Sequence, residues 1–278
     1  FSDAVVRLVS DKFRDVVSAR DFGAFGAGND DTTELQTFLN QMKPTGLKAW
    51  LPRGEYALSS TLVLNNAGTN VQPGVEPEKN EILYRTAIVG DGAGSTILRY
   101  VGSGAALHIN TGLGKAHHRG FSLVQDDNVN RSGVGLKVDW SASLKFSDIE
   151  IKGFEYGLHN LDSFSILYEA IDFEDNRVGF IGGYAQGSHP NAINFISCRW
   201  MNNKNSGVTL INPTTCNFIG GSFEGNGTGD NQTGAISING ASSEGAFGCN
   251  ITGVYFENNF CLADIVINNA GSGSRVGM

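Results

Sequence analysis

The sequence predicts an all-β chain: a right-handed single-stranded parallel β-helix with a short N-terminal capping helix. Three observations predict it. An apolar pattern returns every 22 to 33 residues, a column of asparagines runs beside it, and glycine (37) far outnumbers proline (6) in 278 residues. Many turns and few helices fit that composition.

The repeat aligns on Ile151, Phe173, Trp200, Phe223 and Phe256, with steps of 22, 27, 23 and 33 residues. Two positions earlier stand Ile149, Ile171, Cys198, Gly221 and Val254. Five earlier stand Phe146, Tyr168, Phe195, Phe218 and Ile251, and seven earlier Leu144, Ile166, Ile193, Cys216 and Cys249. Mostly apolar columns of this kind are inward-facing strand positions. Three residues after each anchor come Phe154, Asn176, Asn203, Asn226 and Asn259, which suits a stacked turn whose amides bond from rung to rung. A Gly-led third strand follows at Gly133-Val134, Gly157-Leu158, Gly179-Phe180, Gly207-Val208 and Gly234-Ala235. Phe121 and Leu123 continue the inward columns one rung back.

Each rung buries its apolar row only against its neighbours, so the solenoid must stack and its ends need caps. Residues 31–42 form an amphipathic helix, capped by Asp31 or Thr32, with Glu34 in its first turn and Leu35, Phe38 and Leu39 on one face. It is the expected N-terminal cap. Residues 1–20 read as a connector or lead-in helix, 48–51 and 55–64 as strands, and 65–81 as a loop with two prolines. The β-helix domain therefore spans 21–278. It ends in GSGSRVGM directly after a rung, so truncation is expected there, and a start at Phe1 implies a removed N-terminal piece.

Net charge is −8 with no basic block, which argues against a general nucleic-acid binder. No apolar run reaches the 18 or so residues of a membrane span, and no signal peptide is visible. Cys198, Cys216, Cys249 and Cys261 lack CxxC spacing, which speaks against zinc. Cys216 and Cys249 share an inward column at a distance a disulfide can span, but buried free thiols in a reduced compartment are the expectation. No cofactor is implied.

Ser18-Ala19-Arg20-Asp21-Phe22-Gly23-Ala24, followed by Gly26-Ala27-Gly28-Asn29-Asp30-Asp31-Thr32-Thr33 and a helix, resembles the start of pectate-lyase-like (pectin-lyase-fold) β-helix domains. It looks most like those of bacteriophage tailspike proteins. Leu51-Pro52-Arg53-Gly54-Glu55-Tyr56 is similar to their "LP-x-G-x-Y" strand. Ile88-Val89-Gly90-Asp91-Gly92-Ala93-Gly94-Ser95-Thr96 is similar to their "I-x-G-x-G-x-x-x-T" turn. The resemblance covers residues 11–100 by motif, and none of these motifs is catalytic. It implies a homotrimeric, virion-attached polysaccharide depolymerase, held on the phage tail by a missing N-terminal domain. Its expected partner is a bacterial surface polysaccharide, capsule or O-antigen.

The register also names the side chains that point outward. One before each anchor come Glu150, Asp172, Arg199, Ser222 and Tyr255; one after come Lys152, Glu174, Met201, Glu224 and Glu257. With rungs about 4.8 Å apart, Glu150 and Asp172 are close enough to share a proton. Glu174 and Glu224 lie two rungs, roughly 10 Å, apart with Arg199 between them on the adjacent column. Glycosidic hydrolysis needs two carboxylates, about 5 Å apart for retention and about 6.5 to 9.5 Å for inversion. Glu150, Asp172, Glu174 and Glu224 are the catalytic candidates, with Arg199, Tyr255 and Glu257 as substrate-binding candidates. An exposed strand face carries charges for solubility and cross-strand pairing in any case, and Lys152 with Glu174 fits such a pair.

A polysaccharide lyase acting by β-elimination on a uronate stays open, because Arg199 and Tyr255 offer a cation and a base. A non-catalytic receptor-binding fibre stays open too. His117 and His118, adjacent on a strand, face opposite ways and cannot chelate one metal. Asp126-Asp127, His159 and His189 read as loop or surface residues.

Overall fold

The computed structural model describes residues 17–65, 86–110, 115–126, 131–183, 189–229, 233–240, 248–268 and 276–277. The chain is mostly β, in two all-parallel sheets, and each rung gives strands to both. In the first sheet His117–Val124, Lys145–Lys152 and Leu167–Glu174 pair in sequence order. Later rungs split this strand into two short ones, such as Ile193–Ile196 and Arg199–Met201. In the second, Val134–Asp139, Tyr156–Leu161, Val178–Gly182 and Ser206–Ile211 pair in the same way.

The inward columns form the core. Ile151, Phe173, Trp200 and Phe223 are in register and buried. Because rungs repeat at roughly the thickness of a stacked ring pair, aromatic residues in one column stack. Phe173 lies on Trp200 at 5.4 Å, Trp200 on Phe223 at 4.3 Å and Phe223 on Phe256 at 5.3 Å. A second stack runs His118, Phe146, Tyr168, Phe195, Phe218 with steps of 5.0, 5.4, 5.2 and 4.9 Å.

The two stacks are five residues apart, an odd spacing that strict alternation would send to opposite faces, and the reason is a corner. The residue three before the anchor is left-handed in every rung: Asp148 (φ 52°), Ala170 (48°), Ser197 (52°), Gly220 (63°) and Gly253 (64°). That conformation interrupts the alternation of faces, so residues on both sides of the corner point inward. Gly221 stands in an otherwise apolar inward column because a Cβ there would meet the Cys198 carbonyl oxygen at 2.0 Å.

A second corner follows two residues after the anchor, at Asp175, Asn202, Gly225 and Asn258, all with positive φ. The asparagine ladder comes next. Asn176 Nδ2 donates to Asn203 Oδ1 (3.2 Å), Asn203 Nδ2 to Asn226 Oδ1 (2.9 Å) and Asn226 Nδ2 to Asn259 Oδ1 (3.0 Å). Each amide also reaches the anchor carbonyl of the preceding rung, two residues before its corner: Asn203 Nδ2 donates to Phe173 O at 3.0 Å, and Asn226 Nδ2 to Trp200 O at 2.9 Å.

The third-strand glycines are offset at both ends from the expected alignment. Gly157, Gly179 and Gly207 do share a column. Its earlier member is Gly135 rather than Gly133, and its later member is Ala235 rather than Gly234. The column must stay small because it backs onto core rings: a Cβ on Gly207 would lie 2.7 Å from Phe223 Cδ1.

At the N-terminal end, helix α1 (Thr32–Met42) buries Leu35, Phe38, Leu39 and Met42. Gln36 pairs with the backbone of Val63 as donor (2.9 Å) and acceptor (2.8 Å), which ties the helix to the strand beside it. Asp31 holds the N-cap position, as expected, but makes no side-chain cap bond; the acceptor there is the preceding residue, Asp30. Its Oδ1 accepts the Thr32 N–H at 3.1 Å and the Thr32 hydroxyl at 2.5 Å. The Ser59 hydroxyl, then Thr32, hold its pKa down at about 2. Asp31 is instead buried and takes the Phe25 N–H at 3.2 Å. The expected strand 55–64 is two strands, Gly54–Leu58 in the first sheet and Leu62–Asn65 in the second.

Ala19–Phe22 is a 3-10 turn, while the rest of the lead-in before residue 17, the loop beyond 65 and most of 271–278 lie outside the described residues. Cys198, Cys216 and Cys249 are buried free thiols; burial pushes Cys198 up to about 12.

Candidate functional site

Alternation on the last four residues before the second corner sends two columns outward. Both have the expected register: Glu150, Asp172, Arg199, Ser222, Tyr255, and Lys152, Glu174, Met201, Glu224, Glu257. Their side-chain partners then separate them.

Glu150 and Asp172 do not turn to each other. Glu150 Oε2 accepts the Ser122 hydroxyl at 2.8 Å, and Ser122 Oγ accepts the Gly94 N–H at 2.8 Å. Asp172 faces the other way, onto Arg199, whose Nε and Nη2 lie 2.8 and 2.5 Å from its two oxygens. A planar guanidinium matches a carboxylate with two parallel bonds, a stronger tie than sharing a proton between two acids. Arg199 is therefore not poised between Glu174 and Glu224, and Asp172 first of all raises its pKa. Glu174 pairs with Lys152 at 2.9 Å, and Lys152 also reaches Asp175 at 3.4 Å.

Glu224 and Glu257 are different. They are in register on adjacent strands, at the point where the chain enters the second corner. Neither makes an ion pair among the described residues. Both border a cleft of ≈ 410 Å³ whose other walls include Met201, Asn202, Asn258 and Phe260. Phe260 is 60% exposed and Tyr255 56%, so two aromatic faces flank the carboxylates. Glu257, two residues along the strand, raises the pKa of the Tyr255 phenol. Of the four catalytic candidates only Glu224 lies at this cleft. It is joined there by Glu257 and, at its rim, Tyr255.

His117 points outward and His118 inward, as strand alternation requires. His118 is fully buried and accepts the Ile88 N–H at 3.2 Å, and burial lowers its pKa to about 3. Asp126 is exposed and held by Arg99, which also binds Glu55; Asp127 lies outside the described residues. His189 is half-buried, with its Nδ1 3.3 Å from the Asn212 carbonyl oxygen.

His159 points outward, as expected, without being freely exposed. It is half-buried on the second sheet, its ring 6.0 Å from Tyr156, and burial lowers its pKa. It is in register with Lys137, and Lys137 with His108. Asp139 completes this cluster, 3.3 Å from Lys137 Nζ and 3.7 Å from His108 Nε2. The cluster is not legible in the sequence, because the third-strand glycines mark an inward column and no repeating residue marks the outward one.

Among the described residues no helix is long and apolar enough to cross a membrane. No protein-family model and no curated protein matches the chain. Solved structures do. The ORF18 protein of Geobacillus virus E2 aligns over 96% of this chain and 63% of its own at 15% identity, with a TM-score of 0.58. The A-module of mannuronan C-5 epimerase AlgE6 from Azotobacter vinelandii aligns over 91% and 80% at 17% identity, TM-score 0.55. The enzymatically active domain of bacteriophage CBA120 tailspike protein 2 aligns over 94% and 45% at 15% identity, TM-score 0.53. At such identities the likeness is one of fold. It is a likeness to phage tailspikes and polysaccharide-acting enzymes, the group that the motifs near the N-terminus resemble. The chain spans less than two thirds of the Geobacillus virus protein and under half of the CBA120 domain.

Proposed function

We propose that the chain is the glycan-processing part of a bacteriophage tailspike, a right-handed single-stranded parallel β-helix. It binds a bacterial surface polysaccharide, capsule or O-antigen, and cleaves it by glycosidic hydrolysis. The observation that carries this reading is the pairing of Glu224 with Glu257 at the mouth of an aromatic-flanked cleft, without ion-pair partners among the described residues.

Adjacent rungs set the two backbones about 5 Å apart, which suits a retaining mechanism. Glu257, beside the Tyr255 phenol, is the carboxylate nucleophile and attacks the anomeric carbon. Glu224 protonates the departing glycosidic oxygen, then withdraws a proton from the water that releases the glycosyl–enzyme. Tyr255 and Phe260 stack on sugar faces, where each ring removes apolar sugar surface from water.

β-Elimination is less well supported on this face. The cation it needs, Arg199, is engaged by Asp172, and Glu257 raises the pKa of the Tyr255 phenol. Homotrimer formation, attachment to the phage tail through an N-terminal domain and a place on the virion follow from the resemblance to tailspikes and belong to the same proposal.

The test is incubation with purified capsule and O-antigen. New reducing ends without the ultraviolet absorbance of an unsaturated uronate support hydrolysis. Both signals together mean a lyase, and neither means a binding fibre.

A further inference from the structure

The first halves of the same strands carry a surface of opposite character. His117 is in register with Lys145, and Arg119 with Ser147, which in turn opposes Glu169. All five point outward. His117 Nε2 and Ser147 Oγ share a hydrogen bond of 2.6 Å. Lys145 Nζ lies 2.5 Å from Glu169 Oε2, so that pair is internally neutral. Arg119 is exposed and has no ion pair among the described residues. Lys48 adds a further positive charge close enough to act on His117.

Three cations, Lys48, Arg119 and Lys145, thus face one carboxylate, Glu169, on a chain whose net charge is −8. Burial first, then Lys145 and Arg119, lower the pKa of His117. The imidazole is therefore neutral at neutral pH and adds a polar, uncharged pair with Ser147 beside the unengaged guanidinium. The cleft at Glu224 and Glu257 is acidic and repels an acid group. An acidic unit of a polymer is better placed on this second face of the same sheet.

We propose that His117, Ser147 and Arg119 form a second glycan subsite that takes a uronate unit, with Arg119 on the carboxylate and the His117–Ser147 pair on ring hydroxyls. A guanidinium binds a carboxylate through two parallel bonds, which gives orientation as well as affinity. The subsite rests on the reading that the chain takes a polysaccharide, and it names a component of that polysaccharide.

Calorimetric titration with oligogalacturonate, and with a neutral dextran oligomer as control, tests it. The wild type binds oligogalacturonate more tightly than dextran, and added salt weakens that binding. Arg119→Ala weakens it about tenfold or more at an unchanged thermal midpoint, and Arg119→Lys recovers part of the loss. His117→Gln weakens it less. Equal binding by wild type and Arg119→Ala overturns the subsite, as does failure of the wild type to bind oligogalacturonate. Cleavage of surface polysaccharide, measured beside it, keeps the two readings apart. Cleavage with Arg119-independent binding sinks the subsite alone; Arg119-dependent binding without cleavage sinks the hydrolase alone.

Discussion

Arg199 grips Asp172 across one rung, Nε on Oδ1 at 2.8 Å and Nη2 on Oδ2 at 2.5 Å. Both groups stand on the face that the strand register singles out for chemistry, and each satisfies the other. Asp172→Asn should leave polysaccharide cleavage within about twofold of wild type, because the pair is a cross-strand tie. With Arg199 52% exposed, the stability lost should stay below about 1 kcal/mol. Reducing-end rates and urea titration of the variant check both numbers.

How much of this was legible in the sequence follows from what a solenoid repeats. Inward positions recur in every rung, so Phe173, Trp200 and Phe223, and the ladder from Asn176 to Asn259, could be placed from spacing alone. The corner that separates the two aromatic stacks was visible only as a three-residue gap between neighbouring inward columns. Asp148, Ala170 and Ser197 give no sign of a left-handed backbone, and only Gly220 and Gly253 hint at it. The outward register was legible too, but side-chain partners were not. A long side chain can lean toward either neighbouring rung, and rotamers decide whether Glu150 meets Asp172 or Ser122. His117 and Ser147 stand at outward positions whose residue types do not repeat from rung to rung, so spacing alone does not pair them.

The asparagine ladder predicts a large loss from a single change. Asn203 is fully buried; its amide donates to Phe173 O and Asn226 Oδ1, and its carbonyl oxygen accepts from Asn176. Asn203→Leu strands those partners without water, and should cost about 3 kcal/mol or more. A lowered urea midpoint with an unchanged slope is the expected result; a wild-type midpoint would mean that the ladder is not stabilising.

His118 predicts a pH dependence. Its folded pKa of about 3 lies well below the ordinary 6.5, so the fold binds the neutral ring. Stability from this residue is complete above about pH 6.5 and falls steadily as the pH drops toward 3, since only the unfolded chain takes up the proton. His118→Phe extends the stack on Phe146 and should flatten the thermal midpoint between pH 6.5 and about 4.5, above the range where most carboxylates titrate. A variant with the wild-type slope would place the pH dependence elsewhere.

Glu257 predicts a separable contribution from Tyr255. If the phenol orients the Glu257 carboxylate, Tyr255→Phe should slow cleavage at saturating polymer about tenfold with little change in affinity. Loss of affinity alone, with an unchanged rate at saturating polymer, would reduce Tyr255 to a stacking platform.

The central claim is that Glu224 and Glu257 cleave a polysaccharide by hydrolysis. Its most direct measurement is the rate of reducing-end release from surface polysaccharide by wild type, Glu224→Gln and Glu257→Gln. The wild type should release ends without unsaturated product, and each variant should lose at least about a hundredfold in rate with polymer binding retained. Wild-type rates in both variants, or an unsaturated product, would contradict it.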